Sequence, residues 1–597
     1  MRRVSVSRSG STAAAAIRGG LSRSPSRPIH LSAQQHNPNN TNNRTFQTKS
    51  KDCSEALAPA ARLPEADPED VTPVRPRQNV KIAEILERRA KAGKLVALTA
   101  AGADSDMFKG PSVGKPKAKR WDHHLSEESR IREPCVLKQA AKHLKKPGLI
   151  SLGGGLPCAE YFPFDSISLK VPRAPNFSEQ AAHEHGETVT IGKYDIRDAD
   201  GVYDLSVALN YHQAHGSAQL MRWVTEHTEL VCDPPYADWQ SVLTVGSTGA
   251  LEQALRLLCD RGRGDSLLTE EYSFATAIET ASPLGINVVG IPMDDQGLLP
   301  EAMDEMLTDW NPDERGGARK PHVLYTVPSG QNPTGATQGK QRREEIYRVC
   351  QKHDVYIIED EPYYFLQMMP TAELAVESGV EEGGLEEEDV DQFLDSLIPT
   401  LLSMDVDGRV MRMDSFSKVV VPGSRLGWIT ASEQIIERYL RHAEVCNQGP
   451  SGFSQIILYK LLDEKWGHEG YLRWLMNLRK EYTKRRDTIV RACERHLPQE
   501  VVSWKPPAAG MFHWIRVDHT QHPDSSTKSI LEIEEEIFNS CIAKGVLVGR
   551  GSWFRAEQDK PPTGLFFRTT FAAATPENMT EAIRRFGEAI RESYRMS

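Results

Sequence analysis

Short apolar runs alternate with amphipathic stretches through the central part of the chain. The runs are rich in β-branched residues and predict buried strands at positions 241–245, 288–291, 322–327, 355–358, 410–413 and 427–430. After the first run, a helix is predicted from an apolar face at helical spacing, formed by Leu251, Ala254, Leu255 and Leu258. This alternation predicts an α/β fold with a doubly wound, mostly parallel sheet, whose ligands bind beyond the carboxyl ends of the strands.

The chain changes character on either side of this central part. Downstream, a helix at 471–496, strands at 510–515, 546–549 and 565–571 and a final amphipathic helix predict a smaller α+β domain. Upstream, the sequence predicts a helix at 80–94 and an irregular polar insertion at 173–203. We therefore predict four parts. Residues 1–75 form an N-terminal extension, and residues 76–205 form a segment that completes the small domain and the substrate rim. Residues 206–440 form a large domain with an acidic loop at 370–405, and residues 441–597 form the C-terminal small domain.

Composition narrows the functional class. The chain has 597 residues, more than one core usually holds, so we expect at least two domains. It carries 82 acidic and 72 basic residues, and this net charge of −10 argues against a nucleic-acid binder. No apolar run approaches the ~18 residues of a membrane helix. The nine cysteines are scattered without metal-ligand spacing, which predicts free thiols and no metal site.

The N-terminal extension has a composition of its own. Residues 1–51 contain seven arginines among many Ser, Ala and Asn residues but no Asp or Glu, as in a mitochondrial transit peptide. A disordered cytoplasmic extension would suit the Asn, Pro and Gln residues at 34–43 equally well. We therefore expect a mitochondrial or cytoplasmic protein.

One segment places a lysine just after the apolar run 410–413. Lys418 is preceded by Ser415 and followed, seven residues later, by Arg425, which stands near two glycines and is placed to meet a dianion. A buried ammonium group is costly unless it is paired or neutral, and a desolvated lysine with a lowered pKa is the nucleophile that Schiff-base chemistry requires. Taken alone, such a short motif is more often a Lys and an Arg on a solvated loop.

Polar residues follow or interrupt other predicted strands. Ser247 and Thr248 stand in a glycine-rich turn that opens a helix, where backbone N–H groups can cradle a phosphate. Asp360 follows the run 355–358, so its carboxylate needs a positive charge, unless it caps a helix or forms a structural ion pair. Arg568 interrupts an apolar strand and needs either a substrate carboxylate or a structural acid as its partner.

The order of these motifs resembles that of the fold-type I pyridoxal-phosphate (PLP) aminotransferases of class I and II. The resemblance spans about residues 130–590 and includes Asn332-Pro-Thr-Gly335, Asp360-Glu-Pro-Tyr363 and Ser415-Phe-Ser-Lys418. Within this family, the chain most resembles the fungal aromatic amino acid aminotransferases related to kynurenine/2-aminoadipate aminotransferase. The resemblance implies a seven-stranded, mostly parallel sheet.

The resemblance also implies pyridoxal 5'-phosphate as the cofactor. Lys418 would hold the cofactor and move the α-proton, Asp360 would face the pyridine nitrogen, and Tyr363 and Asn332 would bond the ring oxygen. The remaining implied roles are phosphate binding by Ser247, Thr248, Ser415, Arg425 and, across a subunit interface, Tyr211; ring stacking by Tyr272; and substrate binding by Gly154, Asn332 and Arg568.

The activity implied is ping-pong transfer of an amino group to a 2-oxo acid such as 2-oxoglutarate. The donor would be an aromatic amino acid, kynurenine or 2-aminoadipate, and the enzyme would be a homodimer. Two alternatives stay open at this point. One is another PLP reaction on the same fold, such as β-elimination of the C–S lyase type, and the other is a non-catalytic regulator with an aminotransferase-like domain.

Overall fold

The computed structural model describes residues 80–141, 146, 148, 150, 152–370 and 389–596. The predicted extension 1–75 and residues 371–388 of the predicted acidic loop lie outside this part. The rest of that loop contains the predicted short helix, Val390–Ser396, whose Phe393 is buried.

The strands are short and are numbered here in chain order. They are β1 (Ser166–Val171), β2 (Glu187–Gly192), β3 (Trp239–Thr244), β4 (Ser266–Glu270), β5 (Asn287–Ile291), β6 (Met293–Asp294), β7 (Gly297–Leu298), β8 (Val323–Thr326), β9 (Tyr356–Asp360), β10 (Val410–Ser415), β11 (Gly427–Ser432), β12 (Val502–Trp504), β13 (Phe512–Val517), β14 (Gly549–Arg550) and β15 (Leu565–Thr570).

The α-helices of the described residues are numbered in the same way. They are α1 (Ile82–Ala92), α2 (Glu127–Ile131), α3 (Val136–Ala141), α4 (Glu179–His185), α5 (Asp195–Asp198), α6 (Leu205–Ala208), α7 (Ala218–Val231), α8 (Gly246–Leu258), α9 (Ala275–Ala281), α10 (Pro300–Thr308), α11 (Lys340–Lys352), α12 (Val390–Ser396), α13 (Leu401–Met404), α14 (Glu433–Cys446), α15 (Gly452–Tyr459), α16 (Gly467–His496), α17 (Ile530–Ala543) and α18 (Pro576–Ser593). None of these helices is both long enough and apolar enough to span a bilayer.

A seven-stranded sheet forms the centre of the fold and confirms the predicted α/β class. Its strand order is β3-β11-β10-β9-β8-β4-β5, and only β11 runs antiparallel to its neighbours. Every residue of β8, β9 and β10 is buried, because helices cover both faces of such a sheet. Parallel strands end at a common edge, so the residues that follow β4, β8, β9 and β10 meet there.

A second, four-stranded antiparallel sheet is built from the C-terminal part of the chain. Its order is β12-β13-β15-β14, and Arg568 in β15 lies opposite Trp514 and Gly549. The long helix α16 and the last helix α18 pack closely, since a Cβ atom at Gly587 would overlap the carbonyl oxygen of His496. This arrangement holds the strand that carries Arg568.

The prediction of an irregular insertion at 173–203 was wrong in part. Residues Glu179–His185 form α4, and β2 pairs in antiparallel register with β1, Ile191 opposite Ile167. The alternating residues Val189 and Ile191 are buried while Thr188 and Thr190 are exposed. This strand pattern is only two periods long, which is why the polar residues around it concealed it.

Candidate active site

Asp360, the last residue of β9, is almost fully buried at the common strand edge. Its Oδ2 accepts a 2.8 Å hydrogen bond from the hydroxyl of Tyr325 in β8. Its Oδ1 makes no direct hydrogen bond of good geometry among the described residues, although the Ser247 side chain lies close enough to lower the pKa of Asp360. Burial, together with the nearby carboxylate of Asp414, raises the pKa of Asp360 to about 7. A cation or proton donor at Oδ1 would therefore stabilise this carboxylate.

Lys418 follows the neighbouring strand β10, in which Met413 lies directly opposite Asp360. Its side chain is half-buried, and burial lowers the pKa of its ammonium group. The positive charges of Arg425 and Arg568 lower this pKa further. A lysine that loses its proton more easily than usual is suited to act as a nucleophile and as a base.

A cationic cradle forms where α8 begins directly after β3. Gly246 has a φ of +70°, and a Cβ atom there would lie 2.7 Å from Nη2 of Arg425, so the guanidinium group lies against the helix start. Ser247 and Thr248 stand in the first turn. Free backbone N–H groups, the helix dipole and a guanidinium group together favour a phosphate dianion.

Ser415 lies at the end of β10, on the chain that leads to Lys418. Its Oγ contacts Oγ of Ser417 at 2.9 Å and accepts a 3.1 Å hydrogen bond from the Ser417 backbone N–H. These bonds fix the turn between the strand and Lys418.

Arg568 is held beside the same edge by three residues. Its Nη1 donates a 2.8 Å hydrogen bond to Oδ1 of Asn332. The guanidinium carbon lies 4.6 Å from the ring centre of Phe512 and 4.5 Å from that of Phe554. Burial lowers the pKa of Arg568, and no carboxylate forms an ion pair with it among the described residues. The guanidinium group of Arg568, held between the two rings, is thus left available for an external carboxylate.

Tyr363 joins this group from the loop after β9. It is buried, and its ring lies edge-on to Phe512 at 5.7 Å. Burial and the charge of Asp360 raise the pKa of its hydroxyl, while Arg568 and Asn332 act in the opposite direction. Its phenol is therefore a neutral hydrogen-bond donor near Asn332.

Tyr272 and Phe274 are two aromatic residues just beyond β4. The Tyr272 ring is buried edge-on against Trp514 and Phe566, at 5.4 and 5.2 Å between ring centres, and those two rings stack on each other. Its carbonyl oxygen accepts a 2.6 Å hydrogen bond from Gln331. Phe274, which the sequence analysis passed over, is partly buried at the start of α9. Either ring is available for the stacking role that was assigned to Tyr272.

Thr248 and Arg425 of the cradle are exposed in this chain, and so are two further predicted residues, Tyr211 and Gly154. Tyr211 is 52% exposed and lines a cavity of about 350 Å³ together with Phe164 and Phe453. Gly154 is exposed and has no close neighbour other than Leu156. Neither Tyr211 nor Gly154 contacts Asp360 or Lys418 in this chain, so their roles stay predictions.

Comparison with known proteins identifies the family. The model for aminotransferase class I and II matches residues 204–586. The chain belongs to this family. An aromatic amino acid aminotransferase of Schizosaccharomyces pombe is 44% identical over 484 residues, 80% of this chain and 99% of the relative. The L-tyrosine:2-oxoglutarate aminotransferase amt1 of Serpula lacrymans is 33% identical, over 79% of this chain and 96% of its own length.

A solved structure agrees with the fold of this aminotransferase-family chain. Aminotransferase Aro8 from Candida albicans is 39% identical with a TM-score of 0.73, and the match covers 81% of this chain and 100% of Aro8. The family and the fold, which were predicted from the motifs, are thereby confirmed. They imply pyridoxal 5'-phosphate as the cofactor.

The residues of this family member fit that cofactor. The buried Asp360 carboxylate, which forms no ion pair among the described residues, suits a protonated ring nitrogen, and the cradle of Gly246 and Arg425 suits a phosphate. Sequence reasoning missed Tyr325, Phe512 and Phe554, which orient Asp360 and Arg568. Tyr325 lies inside an apolar run where a tyrosine usually signals core packing, so the sequence held no signal for its bond.

Proposed function

We propose that this protein is a PLP-dependent aminotransferase that transfers an amino group from an aromatic amino acid to a 2-oxo acid such as 2-oxoglutarate. The observation that carries the proposal is the buried Asp360 carboxylate, which forms no ion pair among the described residues, one strand away from a lysine of lowered pKa. The names of the relatives support the donor and the acceptor.

The cofactor would be held at both ends by residues of this chain. Asp360 would pair with its ring nitrogen, Tyr363 and Asn332 would donate to its ring oxygen, and Lys418 would bind its aldehyde carbon. The phosphate would be bound by Ser247, Thr248, Ser415 and Arg425. The bound cofactor supplies an electron sink for the carbanion at the substrate α-carbon.

The chain's own groups would then orient the substrate and move its proton. Arg568 would bind the α-carboxylate through its fork, with Asn332 keeping the guanidinium group in position. Nζ of Lys418 would accept the α-proton and pass it to the cofactor's aldehyde carbon, and in the opposite half-reaction it would carry a proton back to the α-carbon. Its lowered pKa favours the neutral amine that this transfer needs.

Replacement of Lys418 tests the proposal. The variant K418A should lose the visible absorbance of bound PLP and all turnover. K138A is the matched control, because Lys138 is also a partly buried lysine whose pKa is lowered by burial. Borohydride reduction followed by peptide mapping should find the label on Lys418, and a label on any other lysine would overturn the assignment.

The donor is best identified with a panel of amino acids and 2-oxoglutarate. We expect phenylalanine, tyrosine and tryptophan to be used, and kynurenine and 2-aminoadipate complete the panel. Release of pyruvate and ammonia would instead identify the β-elimination alternative. Sequence-specific DNA binding without turnover would identify the regulator.

We also propose that the enzyme is a homodimer in which Tyr211 reaches the phosphate in the other subunit. Its 52% exposure in one chain supports this proposal. Mixing inactive K418A with inactive Y211A should restore part of the activity through mixed dimers. Failure to restore it, with a monomeric mass in light scattering, would exclude the proposal.

For localisation, we propose import into mitochondria on the basis of the acid-free, arginine-rich residues 1–51. A fluorescent fusion of residues 1–75 should accumulate in mitochondria. Diffuse cytoplasmic fluorescence would favour the cytoplasmic alternative.

A further inference from the structure

A cluster of two histidines and one aspartate lies away from the active site. His123 Nε2 is 2.8 Å from Oδ2 of Asp354, and His124 Nε2 is 3.3 Å from the same oxygen. The ligand atoms of the three residues all lie within 4.8 Å of one another. His123 and His124 follow Trp121, whereas Asp354 stands between α11 and β9, so the cluster joins two distant parts of the chain.

The buried member of this cluster is poorly hydrogen-bonded. The His124 side chain is 3% exposed, its Nδ1 has no hydrogen-bond partner among the described residues, and its Nε2 has only a 3.3 Å contact with the Asp354 oxygen that His123 also approaches. Its ring is stacked on those of Trp121 and His322, which supply no acceptor in the ring plane. A buried imidazole that shares one acceptor in this way is only partly satisfied, and a metal ion bound at Nε2 would satisfy that nitrogen fully.

The ligand types suit a zinc ion. Two imidazole nitrogens and a carboxylate, with water as a fourth ligand, form a common zinc coordination set. Neutral imidazole and ionised carboxylate groups are the forms that bind metal ions.

The distances from Asp354 to the two histidines are close to those of a tetrahedral site. Zinc bonds of about 2.0–2.1 Å in a tetrahedral site place neighbouring ligand atoms about 3.3 Å apart, the distance observed between His124 and Asp354. His123 has to move about half an ångström outward, and its side chain is 45% exposed and free to do so. Asp354, at 42% exposure, leaves a path from solvent.

We propose that His123, His124 and Asp354 form a divalent-metal site that binds zinc and fastens the segment around Trp121 to the start of β9. The sequence analysis predicted no metal site because it searched cysteine spacing, and these ligands come from two separate segments. Asp354 precedes β9 and Asp360 ends it, so about 20 Å of strand separates the metal site from the active site. The role inferred is therefore structural, and the inference does not depend on the proposed function.

Zinc binding by the full-length, tag-free protein tests this inference. The protein is stripped with a chelator, dialysed against zinc chloride and analysed for metal per chain by mass spectrometry. D354N keeps the shape of the side chain, and asparagine tolerates the left-handed conformation of this position, φ +53°. H123A removes an exposed ligand. H185A is the matched control, because His185 also stands near a carboxylate, Glu184, at the surface.

The wild type and H185A should bind one zinc ion more per chain than D354N and H123A. Zinc should raise the unfolding temperature of the wild type by several degrees and leave that of the two variants unchanged. All four proteins should retain aminotransferase activity in the chelator, which verifies their fold. Equal zinc content in the wild type, D354N and H123A would overturn the proposal and leave the cluster as a hydrogen-bonded pair of histidines.

Discussion

The hydroxyl of Tyr325 donates a 2.8 Å hydrogen bond to one oxygen of Asp360 from the neighbouring parallel strand, and so fixes the orientation of the carboxylate. The same bond lowers the pKa of Asp360, against the larger effect of burial. Tyr325 thus both orients the carboxylate and favours its charged form.

Replacing Tyr325 by phenylalanine should weaken cofactor binding. A hydrogen bond to a charged group contributes about 1.5 kcal/mol, so the PLP affinity of the cofactor-free Y325F protein should fall about tenfold. Loss of the bond should also raise the pKa of Asp360 and move the acid limb of PLP binding to higher pH. Y347F is the matched control, since Tyr347 donates a similar 3.0 Å bond to the buried Asp405. An unchanged affinity and acid limb in Y325F would contradict this role.

The charge of Asp360 should make the cofactor-free protein less stable as the pH rises. Its pKa in the fold, about 7, lies above the ordinary 3.8, so folding favours the protonated form. The penalty is absent below pH 4, grows between pH 4 and 7 and is complete above pH 7, where it amounts to roughly 2–4 kcal/mol. D360N should therefore melt at an increasingly higher temperature than the wild type across this window.

Calorimetry of both proteins from pH 4 to 8 measures this difference. Saturating PLP should remove the pH-dependent decrease in the melting temperature of the wild type relative to D360N, because a cationic ring nitrogen would stabilise the Asp360 carboxylate. A constant difference in melting temperature across the pH range would exclude an elevated pKa for Asp360.

Arg568 should be required for substrate binding through its fork and not through charge alone. R568K keeps the charge but loses the paired donors, which are worth about 1.5–3 kcal/mol for a carboxylate. We expect the KM for both the amino acid and the 2-oxo acid to rise about 10- to 100-fold, with a smaller change in kcat. R516K on the adjacent strand β13 is the control, because Arg516 is exposed. Equal KM values in R568K and the wild type would remove Arg568 from the substrate site.

The sequence singles out charged residues in need of a partner more readily than the residues that hold them in place. Lys418, Asp360 and Arg568 stand out because a charge in or after an apolar run demands a partner. Tyr325 and Phe512 look like ordinary core residues in the same kind of run, and only the pairing of strands decides what they touch. The strand order, in which β8 and β10 flank β9, depends on long-range pairing that no local pattern encodes.

Buried ion pairs show the same limit. Arg412 is fully buried in β10 and donates two 2.8 Å hydrogen bonds to Asp414, whose charge in turn raises the pKa of Asp360. Because Arg412 and Asp414 are two residues apart in one strand, the sequence does place them on the same face, but it does not show that this face is buried or that β9 with Asp360 lies beside it. The electrostatic environment of the site therefore required the structure.

The aromatic ring that stacks on the cofactor is testable at two positions beyond β4. If Tyr272 stacks, Y272L should weaken PLP binding about 2- to 10-fold, as expected for the loss of one aromatic pair. Y272F should bind PLP normally, because the Tyr272 hydroxyl lies beside Thr563, which has no proposed role in cofactor binding. F274L serves as the comparison, since Phe274 follows Tyr272 by two residues beyond the same strand, β4, and is partly buried. Titration of the three cofactor-free variants with PLP separates the roles, and a larger loss in F274L than in Y272L would transfer the stacking role to Phe274.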